Sequence, residues 1–311
     1  MRGRGLFGLV LAIFVILVWG ITFVATKALL GAGFSAFEIL FIRFVMAYAT
    51  LWALCPHALR TGSVREELDF AAAGFSGVTA YQFLENAAIH YTNASNVSII
   101  VSVCPLFTAL LARLLFRERT LSITFLAGFA LAIAGVVLVA AGGVSDLHLN
   151  PVGDLMALGA ALCWAFYSMA VTRVNARGRP LLAATRRIFF WALVFMLPLL
   201  AVGVATGPAL MGGSFHVETA AAANAARFSS PLNWLNLAFL GTLASALCFA
   251  GWNRACDLLG TVRATVGIYA IPVVTLVFAY AFLGERLSAT GAVGAVCTLA
   301  GVVLSSHTRH E

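Results

Sequence analysis

Three ionisable residues interrupt long apolar stretches of this 311-residue chain: Lys27, Arg43 and Glu85. A charge inside an apolar run costs roughly 2.5–3.5 kcal/mol on membrane-insertion scales, so it reads as functional until a structural partner is found. Lys27 and Arg43 are cations at a depth similar to that of Glu85. A Glu85–Lys27 or a Glu85–Arg43 pair would offset much of the cost. The plainer alternatives are a static ion pair or side chains that extend to the headgroups. Trp19, Tyr81, Trp164, Tyr167 and Tyr269 also fall away from the ends of apolar runs. Their N–H and O–H groups need partners there, which points the rings inward. Ser98, Ser102, Gln82, Asn86 and Asn253 are candidate hydrogen-bonding groups in the same stretches. Contacts between helices are the other reading for each of them.

Other chemistries find less support. The chain carries no P-loop lysine motif, nucleophile elbow or HExxH. Glu85 with His90 is the one acid–base pairing that a membrane enzyme would use. The six cysteines have no CxxC spacing and read as buried free thiols. No metal and no cofactor is expected. Pro105 and Pro272 read as mid-helix prolines, each removing a backbone N–H and loosening the preceding turn, hence hinge candidates.

The elements that must position these residues follow from composition. The chain is 62% hydrophobic and 10% charged, against about 45–50% and about 25% in soluble domains. A bilayer accepts such a surface, and water does not. The net charge of +7 does not signal nucleic acid, because the basic residues sit singly or in small groups between apolar blocks. A spanning helix takes about 20 apolar residues. The pattern predicts ten: Leu6–Leu30, Ala36–Leu54, Phe70–Ile89, Val97–Phe116, Ser122–Ala141, Gly153–Val174, Ile188–Val204, Leu232–Arg254, Thr265–Leu283 and Ser288–Ser306. The one long connection, Ala205–Pro231, is rich in Gly and Ala and expected to be partly ordered. With a cytoplasmic N-terminus, fifteen basic residues fall inside and three (Lys27, Arg227, Arg286) outside, with Arg43 left within a span. That bias places both termini in the cytoplasm.

An internal repeat supports the count. At a shift of 167, Gly74 meets Gly241, Asn86 meets Asn253, Pro105 meets Pro272, and Glu118-Arg119 meets Glu285-Arg286. At 145, Gly8 and Trp19 meet Gly153 and Trp164. Glu85 meets Trp252, so that charge is not a duplicated feature. Five helices per repeat force the second copy to enter from the opposite side. The expected fold is all-α integral membrane, with repeats at residues 1–144 and 145–311. Inverted repeats place a substrate near the midplane, where rocking alternates access.

Ten helices in two five-helix repeats, Trp19 and Trp164 in the first helix of each, and Pro105/Glu118 and Pro272/Glu285 at the fourth resemble the EamA family of the drug/metabolite transporter superfamily. So does ENAAIHYTNASNV, Glu85 to Val97. The resemblance implies a bacterial inner-membrane carrier that exports amino acids, related metabolites or toxic compounds. A multidrug exporter of the same fold is the alternative. Its partners would be the bilayer and a small-molecule substrate, with a monomer sufficient. It implies a cavity lined by helices 1, 3, 4, 6, 8 and 9, which draws in Trp19, Tyr81, Glu85, Ser98, Ser102, Trp164, Tyr167, Trp252 and Tyr269. Lys27, Arg43, Pro105 and Pro272 are the gating or hinge candidates. Glu118 and Glu285 are expected to bind backbone amides or arginines at helix ends.

Overall fold

The apolar runs fold as helices, the form that satisfies every backbone polar group within one segment. The computed structural model describes residues 2–116, 122–141, 150–206, 213–261, 264, 267–286 and 288–306, and among them there is no strand. The elements are α1 (Arg2–Gly31), α2 (Ala36–Leu54), α3 (Val64–Ala73), α4 (Tyr81–Tyr91), α5 (Ala94–Val101), α6 (Cys104–Phe116) and α7 (Ile123–Ala141). They continue with α8 (Pro151–Asn175), α9 (Leu181–Thr206), α10 (Ala221–Phe228), α11 (Pro231–Ala238), α12 (Cys248–Leu259), α13 (Ile271–Leu283) and α14 (Ala289–Ser306). Among the described residues six helical stretches are long and apolar enough to cross a membrane: Gly5–Gly31, Ala36–Leu54, Ala94–Leu115, Pro151–Asn175, Leu181–Ala205 and Pro231–Leu259.

Several boundaries differ from the sequence pattern for identifiable reasons. The helix of the third apolar run begins earlier than the run itself, at Val64, because Ser63 accepts from the Glu66 N–H and caps it. A π-helical turn, Gly74–Ala80, joins α3 to α4, and a second, Phe239–Leu247, joins α11 to α12. The fourth run is broken at Ser102 and Val103. Pro105 is therefore the second residue of α6, and Pro272 is the second residue of α13, after the 3-10 turn Gly267–Ala270. Neither proline interrupts a helix. Each opens one, where its missing N–H costs nothing and its fixed φ suits the first turn.

Close approach of the helices rests on small residues. A Cβ built on Gly74 would lie 2.6 Å from the Ile188 carbonyl oxygen and 3.1 Å from the Trp191 Cβ. One on Gly241 would lie 3.1 Å from the Arg43 carbonyl oxygen and 2.7 Å from the Met46 Cβ. α7 and α14 pair through Gly135 and Gly301 in the same way. The connection between α9 and α11 carries α10 and tucks Phe215 against Phe37 (4.8 Å) and Phe83 (5.5 Å). A buried Glu38–Arg227 pair (2.7 Å) fastens it to the start of α2. All six cysteines are free; Cys104, Cys248 and Cys256 are buried, and the others are half-buried.

Candidate functional site

A cavity of about 30 Å³ lies among α1, α2, α4, α5, α8, α12 and α13. Its lining is chemically mixed. Arg43, Gln82, Glu85, Ser98 and Ser102 are its polar members, Trp164, Phe249, Ile268 and Ile271 its apolar ones, and Trp19 and Tyr81 line it too.

Arg43 is 2% exposed. Its Nε donates to Ser245 Oγ (3.0 Å) and its Nη1 to Gln82 Oε1 (2.8 Å). Glu85, 5% exposed, interacts electrostatically with Arg43, and the Tyr81 hydroxyl, one turn earlier on α4, is its hydrogen-bonding neighbour. Neutral amides and hydroxyls thus hold the guanidinium, while the carboxylate balances its charge from a distance.

Lys27 does something else. Its Nζ donates to the carbonyls of Ile89 (2.8 Å) and Thr92 (2.9 Å) at the end of α4. A cation there matches the negative end of the helix dipole. Of the two cations that could have paired with Glu85, Lys27 is thus taken up by a helix cap. The carboxylate that acts electrostatically on Lys27 is Glu285. Glu285 accepts from the backbone N–H groups of Ala94 and Ser95 (3.1 Å each) and from the Ser95 hydroxyl. It caps α5, which carries Ser98 and ends just before Ser102. Glu118 lies outside the described residues.

The aromatic wall is a continuous cluster. Trp164 stands edge-on to Trp19 (5.3 Å) and touches Tyr81 and Tyr167 (5.0 Å each). Trp19 Nε1 donates to the Ala244 carbonyl (3.0 Å). Trp164 Nε1 is buried with no partner among the described residues, an unspent donor on the cavity wall. Trp252 (5.2 Å from Trp19) and Tyr167 are in the cluster but do not line the cavity. Tyr167 donates to Asn253 Oδ1 (2.9 Å), which ties α8 to α12. The Tyr269 side chain lies outside those described. Ser98 and Ser102 donate to the carbonyls of Ser95 (2.7 Å) and Ile99 (2.6 Å), so toward the cavity they offer lone pairs. His90 is exposed at the end of α4 while Glu85 is buried. Five positions along a helix turn the two roughly 140° apart.

Sequence reading missed Ser245, Phe249, Ile268 and Ile271. The shift of 167 held a signal for three of them: Phe249 is the mate of Gln82, Ile268 of Val101 and Ile271 of Cys104, all of which line the cavity.

These features define a multi-pass helical membrane protein with a small internal cavity of mixed polar and apolar lining. The chain belongs to the EamA-like transporter family, whose model matches residues 6–141 and 151–307. A "probable terminal-alkyne amino-acid exporter" of Streptantibioticus cattleyicolor is 30% identical, over 84% of this chain and 80% of its own. A "probable amino-acid metabolite efflux pump" of Salmonella typhimurium is 27% identical over 95% of this chain and 93% of its own. A solved crystal structure matches 96% of both chains with a TM-score of 0.65 at 18% identity, a likeness of fold alone.

Proposed function

We propose that this transporter exports small metabolites, amino acids or related compounds, across the bacterial inner membrane by alternating access. The observation that carries the reading is the mixed lining of the cavity. Arg43 and Glu85 offer opposite charges, suited to the carboxylate and ammonium of a zwitterion. Trp164, Phe249 and Ile271 offer apolar surface to the remainder. The unpartnered Trp164 N–H supplies one further donor. Two relatives whose printed names are amino-acid or amino-acid-metabolite exporters agree with this substrate class. A multidrug exporter for lipophilic cations fits less well, because Arg43 sits on the wall such a cation would need.

The architecture we infer is ten spans in two inverted repeats, residues 1–144 and 145–311, with both termini cytoplasmic. The glycine contacts support it. Gly74 meets Ile188 and Trp191, and Gly241 meets Arg43 and Met46. These positions are repeat mates at shifts of 167 and 145. Gly8 against Leu258 and Leu259, and Gly153 against Tyr91 and Thr92, follow the same rule. The π turns also fall in corresponding places. In this reading a cavity of about 30 Å³ is an occluded state, since ligand sites typically measure about 300–1,000 Å³. The two halves must part to admit substrate, and Glu285 and Lys27 then act as fastenings at one end.

Counterflow in proteoliposomes tests the substrate class. Preloaded apolar amino acids should drive uptake of their labelled forms, and sugars, phosphate esters and cationic dyes should not. Counterflow with dyes alone would overturn the amino-acid reading. A reporter fused after Glu311 tests orientation, and an external signal would refute the topology.

A further inference from the structure

A second pocket sits at the opposite end of α2 from Glu38, where α2 ends and α9 begins, both helices long and apolar enough to cross a membrane. It measures about 50 Å³ and is walled by Tyr48 and Trp52 of α2, Leu59 of the following loop, and Arg186, Arg187 and Phe190 of α9. Arg186 is 4% exposed. Its guanidinium donates to the carbonyls of Cys55 and His57 and lies 4.0 Å from the Trp52 ring centroid. Among the described residues no carboxylate pairs with it. The carbonyls at the end of α2 hold the cation in place, but a helix terminus carries only about half a negative charge. Arg187 is committed to Glu67 (2.6 Å) and lies over Phe190 (4.8 Å), with its side chain 31% exposed. Two guanidinium groups therefore face one carboxylate, and the pocket keeps a positive balance.

We propose that this pocket binds a phosphate group, supplied by the headgroup of an anionic phospholipid. The countercharge that the chain leaves out would come from the membrane. Three observations converge on that ligand. The first is the buried cation without a carboxylate. The second is the flanking Trp52 and Tyr48, residue types that settle at headgroup level. The third is the outward apolar surface beside it, with Leu54 53% and Trp52 36% exposed, where acyl chains would lie. Basic pockets between spans recognise anionic headgroups by this charge logic. The proposal does not depend on what the central cavity carries.

The full-length protein in nanodiscs tests it. Trp52 emission, isolated as the difference between wild type and Trp52→Phe, is followed with brominated phosphatidylglycerol and with brominated phosphatidylcholine. Quenching should be stronger with phosphatidylglycerol at equal mole fraction. Native mass spectrometry should show phosphatidylglycerol retained over phosphatidylcholine. That preference should fall on the order of tenfold in the Arg186→Gln/Arg187→Gln double variant. Inorganic phosphate should leave the preference intact. If it abolishes the preference, the phosphate chemistry stands and its source is soluble. Equal quenching by both lipids in the wild type would overturn the proposal, and that comparison holds even if the double variant fails to fold. So would an unchanged preference in a folded double variant.

Discussion

Gly135 and Gly301 are each pressed against the backbone of the helix that carries the other. A Cβ on Gly135 would come within 2.4 Å of the Thr298 nitrogen, and one on Gly301 within 2.4 Å of the Ala132 nitrogen. Backbone cannot move aside as a flexible side chain can. Gly135→Ala and Gly301→Ala should therefore each force α7 and α14 apart and cost about 1–3 kcal/mol. The double variant should lose less than the sum, since the first separation already makes room for the second methyl. Gly5→Ala, with nothing within 4 Å, is the control. Melting of the detergent-solubilised protein measures all four. Wild-type melting for either single variant would mean that the helices are not held this closely.

Arg43 and Glu85 should couple, and Lys27 and Glu85 should not. The first two interact electrostatically in the cavity, whereas Lys27 is spent on the Ile89 and Thr92 carbonyls. Glu85→Gln should reduce transport per folded molecule by on the order of tenfold, with expression preserved, if this charge meets substrate as proposed. Arg43→Gln should do the same, and the double variant should be little worse than either alone. Lys27→Met should instead lower folded yield, with an effect that adds to Glu85→Gln. Additivity for the Arg43–Glu85 combination would show that the two do not act as one site.

A pH dependence follows from the first turn of α3. Glu66 takes two hydrogen bonds from Arg179 (2.7 and 2.8 Å) and one from the Gly62 N–H (2.7 Å). Arg179 first, then that N–H, holds the carboxyl below its ordinary value of 4.5. The unfolded chain therefore binds the proton more readily than the folded one. The ion pair's contribution is fully present above 4.5 and is lost as pH falls through the lower folded value. Glu66→Gln should melt lower than wild type at neutral pH, and the gap should close in acid. A gap that stays constant down to about pH 3 would mean that protonation of Glu66 is not involved.

Legibility in the sequence divided along physical lines. Spans such as Ala36–Leu54 could be read to the residue, because twenty apolar residues have few other uses. Arg43 and Glu85 stood out because an ionisable group in such a run is costly wherever it ends up. What held them did not. Ser245 and Phe249 are ordinary in a span, and only the fold brings the first to Arg43. The partners of Lys27 are carbonyl oxygens, which every residue carries, so no residue type announced the cap. Prolines read as kinks turned out to open helices, because the breaks at Ser102 and at Gly267–Ala270 lie in backbone hydrogen bonding rather than in composition.

The π turn at Gly74–Ala80 sets the phase of everything after it. A turn that spends one residue more than an α turn shifts all later side chains by one position, roughly 100° around the axis. Gln82 and Glu85 lie just beyond that turn, and Phe249 and Trp252 just beyond its counterpart at Phe239–Leu247. The way these helices face the cavity is thus written in residue number as much as in residue type. Among relatives, gain or loss of a single codon in either turn would swing a whole wall out of view while leaving every side chain on it unchanged. Substitutions can adjust the cavity one group at a time, but insertions and deletions at these two places can exchange it.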